Sequence, residues 1–507
     1  MSRPLPDADG HPLVLGSDVH LSCEAVEAAA EAHRTEISFN AETYTRLSEA
    51  RDALTTARER GDEIYGVTTG FGPLVDYESA DDGRASHGAG LLAHLSVGAG
   101  PLAPRNVARA TCIARMQSLA QGHSAIRPDT LDAFANLTRH NLTPAIPTIG
   151  SVGASGDLTP LAHAARVLTG TGRVLRMDRT VRPAREALEE AGLSPVKLDG
   201  RDALALVNGT AFMSAYASLA IARAIRLIQH LEALTGWIYR LLGSELQALD
   251  PRLHSARGHA SQAESAAAIR AEATRDGSYD RAPDRPLQEP YSLRCAPQVI
   301  GACRDQLRYA RRIVETELNG VNDNPVVIAG DDPVVLHGGN FQGQQVALAA
   351  DALNAAITQL GVLAERQIDL LLTPERNSGA PLLLAWTPGA TSGLAGAQIT
   401  ATALVAELRQ NAQMSGTSSI PTNGGNQDIV SMGTLASRTA FEQTERLAPI
   451  LAVLGIALAQ LTHLREAGRA PGTACPSPPW MPSVDAIIED RPLRREIETI
   501  GMTFLTP

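Results

Sequence analysis

The residues best suited to chemistry lie in Gly150-Ser151-Val152-Gly153-Ala154-Ser155-Gly156-Asp157-Leu158-Thr159-Pro160-Leu161-Ala162-His163, where glycines and small residues run into an acid and a proline. Glycine permits positive φ and close backbone approach. Taken alone, Ala154-Ser155-Gly156 reads as a tight loop, with Asp157 as a cap and Pro160 in the first turn of a helix. The same three residues also allow a covalent reaction. If the Gly156 nitrogen attacks the Ala154 carbonyl, the backbone closes into a ring. Loss of two waters then leaves Ser155 as a methylidene conjugated to an imidazolone. Gly156 has no side chain to obstruct the attack, Ala154 is small, and Ser155 carries the hydroxyl that must leave. The product is an electrophile, which no ordinary side chain supplies.

Other polar segments could converge on the same chemistry. Tyr65-Gly66-Val67-Thr68-Thr69-Gly70-Phe71-Gly72-Pro73 reads as a glycine-rich loop whose tyrosine hydroxyl could reach a ligand. His94 stands in His94-Leu95-Ser96-Val97-Gly98; a lone histidine is more often a structural hydrogen-bonding residue than a site residue. Four inserts rich in amides and glycine interrupt apolar segments: Gln288 to Cys295, Asn319 to Pro325, His337 to Phe341, and Asn423 to Asp428. Each alone is a turn. Together they suit a shared polar pocket, because amides both donate and accept hydrogen bonds.

Several alternatives drop out. Lys197 is the only lysine and sits in an expected surface loop, which disfavours a pyridoxal Schiff base. There is no P-loop, and Gly70-Phe71-Gly72 and Gly170-Thr171-Gly172 lack the third glycine of a dinucleotide fingerprint, so no nucleotide is expected. No HExxH or other close ligand set suggests a metal. A net charge of −11 argues against nucleic acid. Met1-Ser2-Arg3-Pro4 has no apolar leader core, and the longest apolar run, Ile450 to Leu461, is too short to span a bilayer, so no membrane partner is expected. Five scattered cysteines without CxxC fit a reducing cytoplasm.

The elements that position these groups are mainly helical. Leu13 to Leu15 is a short strand candidate. Ser22 caps a helix to Ala32, and further helices are expected over Ala41–Arg60, Asn106–Gln121 and Thr130–Arg139. Arg173 to Lys197 reads as an irregular surface excursion. Asp202 to Asn208 leads into a long helical region, where Leu227, Leu231, Leu234, Ile238 and Leu241 form one stripe; Val346, Ala349, Leu353, Ala356, Leu360 and Leu363 form another. Leu435 to Leu461 is a third long segment, with a kink expected at Pro449. Two domains are expected: 1–205 with the tyrosine and Ala-Ser-Gly loops, and 206–507, a long-helix bundle carrying the inserts.

The segments YGVTTGFG, GSVGASGDLTPLAH, ALALVNGT, QEPYSLRCAPQ, ELNGVNDNP, LHGGNF, LAERQI and NGGNQDIVSMGT follow one another in order. On them, from about Tyr65 to about Ser431, the chain resembles the aromatic amino-acid and histidine ammonia-lyases, nearest to the bacterial tyrosine ammonia-lyases. The resemblance implies a mainly α-helical homotetramer with active sites composed from three subunits, and a 4-methylidene-imidazol-5-one made from Ala154, Ser155 and Gly156. It implies that ammonia leaves an aromatic amino acid to give a trans-α,β-unsaturated acid. Tyr65 then removes the β-proton, for which positive potential must lower its pKa. Arg294 grips the substrate carboxylate with its fork. Asn208 bonds the electrophile carbonyl or the substrate. Tyr291 belongs with the catalytic residues, and Leu158, Gln288, Phe341, Asn423 and Asn426 line the substrate site.

The resemblance also bears on the substrate. His94-Leu95 matches the pair in tyrosine-selective members, where the histidine can bond a phenol. Gln427 stands where histidine-selective members carry glutamate. The expected reaction is therefore L-tyrosine to trans-p-coumarate. A tyrosine 2,3-aminomutase, a phenylalanine or histidine ammonia-lyase, and a non-catalytic helical oligomer are the alternatives. The chain departs from the family pattern at Ser86-His87-Gly88-Ala89-Gly90, which replaces Leu-Gln-x-Asn, at Glu289, which replaces aspartate, and after about Ala467.

Overall fold

A computed structural model describes residues 11–77, 84–275, 277 and 279–507; the Met1–Pro4 stretch read above lies outside them. Two compact units emerge. The first comprises Met1–Leu219, Arg311–Asp351 and Met414–Arg438; the second comprises Ala220–Ala310, Ala352–Gln413 and Thr439–Pro507. This differs from the expected division at 205/206, because two later segments return to the first unit. Polar side chains explain the return of the first of these. Asn319 Oδ1 accepts from Gln117 Nε2 at 3.1 Å, and Asn322 Oδ1 accepts from Ser118 Oγ and Arg115 Nη1, both at 3.0 Å. These partners lie on helix Arg105–Leu119, whose residues after Arg105 are all buried.

Short β-elements trim the first unit. His11–Leu15 pairs parallel with Thr35–Phe39, whose alternating burial puts Thr35, Ile37 and Phe39 inside. Ala99–Leu102 pairs antiparallel with Pro147–Ile149, leading into the Ala-Ser-Gly loop. Ser22 caps helix Cys23–Glu31, accepting from Ala25 N at 3.2 Å, and Asn40 caps helix Ala41–Glu59. The segment expected to be irregular is ordered: Arg173–Leu175 and Val181–Pro183 form antiparallel strands, followed by helix Ala184–Glu190. Strands of three residues are too short to show alternation in sequence. Lys197 is exposed, as expected.

Long helices dominate the rest. Ala211–Leu242, Ala296–Leu318, Gln344–Leu372 and Gly433–Glu466 each have residues in both units. Every residue of the two expected stripes is buried. Gly433–Glu466 is assigned as one helix through Pro449. Small residues let helices approach within the second unit: a Cβ at Gly301 would lie 2.5 Å from Gln262 Cα on helix Ala260–Ala273. The run Ile450–Leu461 is wholly buried and forms part of helix Gly433–Glu466, which extends well beyond it. Three helices, Ala211–Leu242, Gln344–Leu372 and Gly433–Glu466, are long and apolar enough to cross one, because alanine and neutral polar residues extend the apolar run. Their most apolar windows are 89%, 72% and 89% buried inside the protein.

Candidate active site

A cavity of about 1050 Å³ opens in the first unit and gathers most of the expected residues: Tyr65, His94, Leu95, Ala154, Ser155, Gly156, Leu158, Asn208, Phe341, Asn423, Asn426 and Gln427. Gln288, Tyr291 and Arg294 belong to the second unit and are not among its lining residues. No Lys, Arg, Asp or Glu is among the lining residues described.

The Ala-Ser-Gly loop is held from several directions. Gly156 bridges to Gly209, and the Asp157 amide donates to the Gly209 carbonyl at 2.7 Å. Gly156 has φ +68°, and a Cβ there would lie 2.5 Å from the Gly209 carbonyl carbon. Only glycine fits this position, which is also the one whose nitrogen must be unhindered for ring closure. On the opposite flank, Met432 N donates to Val152 O and Ser431 Oγ to Gly153 O, both at 2.9 Å. Ser155 is pinned twice: Asn208 Nδ2 donates to its carbonyl at 3.0 Å, and Gln427 Nε2 donates to its hydroxyl at 2.7 Å. Asn208 is placed by its position just past helix Gly200–Val207. Its Oδ1 is buried without a hydrogen-bond partner, which leaves an acceptor free beside the loop. These features fit the imidazolone: a glycine-only slot, a bonded Ser155 carbonyl that cyclisation retains, a bonded hydroxyl that the second loss of water removes, and a spare acceptor.

Asp157 departs from its expected role. It sits at the N-cap of helix Leu158–Leu168, but its side chain makes no capping bond. The carboxylate instead turns inward. It accepts from Ser151 Oγ and Met213 N, both at 2.8 Å, and from Thr434 Oγ1. Burial raises its pKa, and these donors oppose the rise. Close by, Glu317 accepts from Thr210 and is likewise raised, by burial first and by the charge on Asp157. Sequence reading missed this anchor, although Ser431 and Thr434 stand in the VSMGT end of a segment it singled out.

Tyr65 is positioned by both ends. Its amide donates to His337 Nε2 at 3.2 Å, and its phenol oxygen accepts from Gly72 N at 2.7 Å. His337 comes from the LHGGNF insert and was not foreseen as a partner. The expected lowering of the phenol pKa is not supplied here: burial raises it, and the Gly72 amide only opposes that. Among the described lining residues, the Gly72 amide is the group that opposes the rise, and no Lys or Arg adds to it.

His94 and Leu95 end helix Arg84–Leu95, which the glycines at 88 and 90 conceal in the sequence. His94 Nδ1 lies 3.1 Å from the Gly90 carbonyl. A carbonyl can only accept, so Nδ1 donates this bond, and in the neutral ring Nε2 is then the acceptor.

In the second unit, Arg294 lies over the Tyr291 ring at 4.5 Å and donates through Nε to Glu289 O at 2.9 Å. Tyr291 is 70% exposed. Glu289, the acid in place of aspartate, is buried against Arg285, whose Nε donates to it at 2.9 Å. Glu289 thus sits in a buried ion pair with Arg285, while its backbone carbonyl accepts from Arg294.

A family model described as aromatic amino acid lyase matches residues 21–477. A tyrosine ammonia-lyase of Cereibacter sphaeroides is 40% identical over 96% of this chain and 97% of its own length. An MIO-dependent tyrosine 2,3-aminomutase of Streptomyces globisporus is 39% identical over 95% of this chain and 90% of its own. A crystal structure of the tyrosine aminomutase from that organism superposes with a TM-score of 0.88, at 36% identity and 97% coverage of both chains. A histidine ammonia-lyase of Treponema denticola is 34% identical over 88% of this chain and 87% of its own.

Proposed function

Since the chain belongs to the aromatic amino acid lyase family, carbon–nitrogen lyases that use an autocatalytically formed 4-methylidene-imidazol-5-one, we propose that it eliminates ammonia from L-tyrosine to give trans-p-coumarate. The observation that carries this reading is Ser155 held between Asn208 and Gln427 in the cavity that also contains Tyr65 and His94.

In this reading Ala154, Ser155 and Gly156 form the electrophile, and the chemistry it supplies is activation of the substrate amine for departure. Asn208 keeps its bond to the Ser155 carbonyl, which survives cyclisation as the ring carbonyl. Tyr65 takes the β-proton, the Cα–N bond breaks, and the electrons of the Cβ–H bond form the new double bond. His94 Nε2 accepts from the substrate phenol, with Leu95 and Phe341 against the ring. Gln427 offers a neutral amide, which suits a phenol better than an imidazolium.

The missing cation supports an oligomer. A zwitterionic substrate needs a partner for its carboxylate, and Tyr65 needs positive potential. Arg294 supplies both in this reading, presented with Tyr291 and Gln288 by one subunit to the cavity of another in a homotetramer. The free cysteines suit a reducing cytoplasm, where we place the enzyme.

Incubating the purified chain with tyrosine, phenylalanine or histidine tests the proposal. The expected result is coumarate absorbance from tyrosine, faster than cinnamate or urocanate from the others. A second reading has specific support: the 39% identical aminomutase acts on tyrosine. Chromatography separates the two, since a mutase yields β-tyrosine as its main product. No unsaturated acid and no β-amino acid from any of the three would overturn both.

A further inference from the structure

The departure at Ser86 to Gly90 puts a histidine into the wall of the cavity, and its contacts lead to Tyr65. His87 and His94 are seven residues apart on helix Arg84–Leu95, so both fall on the face that lines the cavity. The His87 ring stacks on Phe71 with centroids 4.2 Å apart and planes within 10°. Phe71 in turn meets Tyr65 edge-on at 6.3 Å. Phe71 is tightly packed on its Gly66 flank. A Cβ at Gly66 would lie 2.6 Å from its ring and 2.8 Å from Leu204, so only a glycine leaves the slot open. Helix Gly200–Val207 backs the histidine, where a Cβ at Gly200 would lie 3.0 Å from His87 Cδ2. The residue after Phe71 is Gly72, whose amide donates to the Tyr65 phenol oxygen at 2.7 Å.

We propose that His87 is a positioning residue for the proton-removing tyrosine. It fixes Phe71 by ring stacking, Phe71 fixes Gly72, and the Gly72 amide aims the Tyr65 hydroxyl. This rests on the role given to Tyr65 above. The ring face carries the effect. His87 Nε2 is buried with no hydrogen-bond partner, and burial lowers the imidazole pKa, so a neutral planar ring is what the site uses. A flat phenyl ring should replace it; an aliphatic side chain should not.

The test compares His87→Ala, His87→Leu and His87→Phe with the unaltered enzyme, by steady-state kinetics on tyrosine and by amide hydrogen exchange over Tyr65–Val75. Misplacing a proton-transfer group lowers turnover without touching substrate affinity, so His87→Ala and His87→Leu should lose about ten- to a hundred-fold in kcat at unchanged KM. His87→Phe should stay within about two-fold of the unaltered enzyme. The Gly72 amide should exchange at least about ten-fold faster in the alanine and leucine variants and at the original rate in His87→Phe. The proposal is overturned if His87→Phe falls as far as His87→Ala, if the loss appears in KM with kcat intact, or if Gly72 exchange is the same in all four proteins. The exchange arm is independent of turnover. Inactivity of the unaltered enzyme on every amino acid tried would sink the functional reading and still leave the stacking chain decided by Gly72.

Discussion

Replacing His94 by phenylalanine should shift the substrate preference from tyrosine toward phenylalanine, and its size follows from where the imidazole sits. Nδ1 is committed to the Gly90 carbonyl at 3.1 Å, so Nε2 is the acceptor for a phenolic hydroxyl. Removing it leaves that hydroxyl without a partner. In the single chain His94 is exposed, so water can take over part of the bond. The loss is then about 1 kcal/mol, or roughly five-fold in kcat/KM. Within a closed composite site the penalty rises to about 3 kcal/mol, over a hundred-fold. Phenylalanine carries no hydroxyl and gains apolar contact from the new ring. The assay measures kcat/KM for coumarate and cinnamate formation in the original enzyme and in His94→Phe. The ratio for tyrosine over phenylalanine should fall by a factor between five and a few hundred, and the larger value would report a dry pocket. An unchanged ratio would refute the role of His94 and leave the Gln427 amide as the lining group facing the phenol.

Gly156→Ala should prevent ring formation and destabilise the loop: a left-handed alanine costs about 1–2 kcal/mol and overpacking against Gly209 about 1–3 more, so a variant with unaltered melting temperature and normal prosthetic group would contradict the geometry. Glu317→Gln should raise the melting temperature at neutral pH. The folded carboxyl titrates above its ordinary value of 4.5, so the folded chain holds the proton more tightly; stability therefore rises as pH falls through that raised pKa, and the advantage of the glutamine variant should shrink over the same window. A constant or reversed difference would show that burial is not what perturbs Glu317. Arg294→Lys keeps the charge but loses the bidentate fork, and should raise KM by about ten-fold with a smaller change in kcat; equal KM would remove Arg294 from carboxylate binding.

What could be read from the sequence was local. The stripes Leu227–Leu241 and Val346–Leu363 repeat every three or four residues, so neighbours in sequence report the buried face directly. The Ala-Ser-Gly chemistry was legible because the reacting atoms are consecutive. Asp157 shows the limit. Its residue type and the following Pro160 read as a cap, but its partner Thr434 is 277 residues away, and no local pattern reports such a bond. Helix Arg84–Leu95 was hidden by Gly88 and Gly90, although His87, Leu91 and His94 keep helical spacing along its cavity face. The burial of Tyr65 was not legible for a different reason. A tyrosine on a loop says nothing of its burial, and burial is what moves the phenol upward. The two-unit division was invisible because Asn319 and Asn322 act on a helix two hundred residues earlier.

The central claim is that three backbone residues become the reactive group. Proteolysis of the active enzyme, followed by mass measurement of the peptide containing Ala154, Ser155 and Gly156, reads it directly. The account predicts a peptide lighter by two waters, with full mass and no coumarate formation in Ser155→Ala. An unmodified Ala154-Ser155-Gly156 peptide from a preparation that still releases ammonia from tyrosine would contradict it.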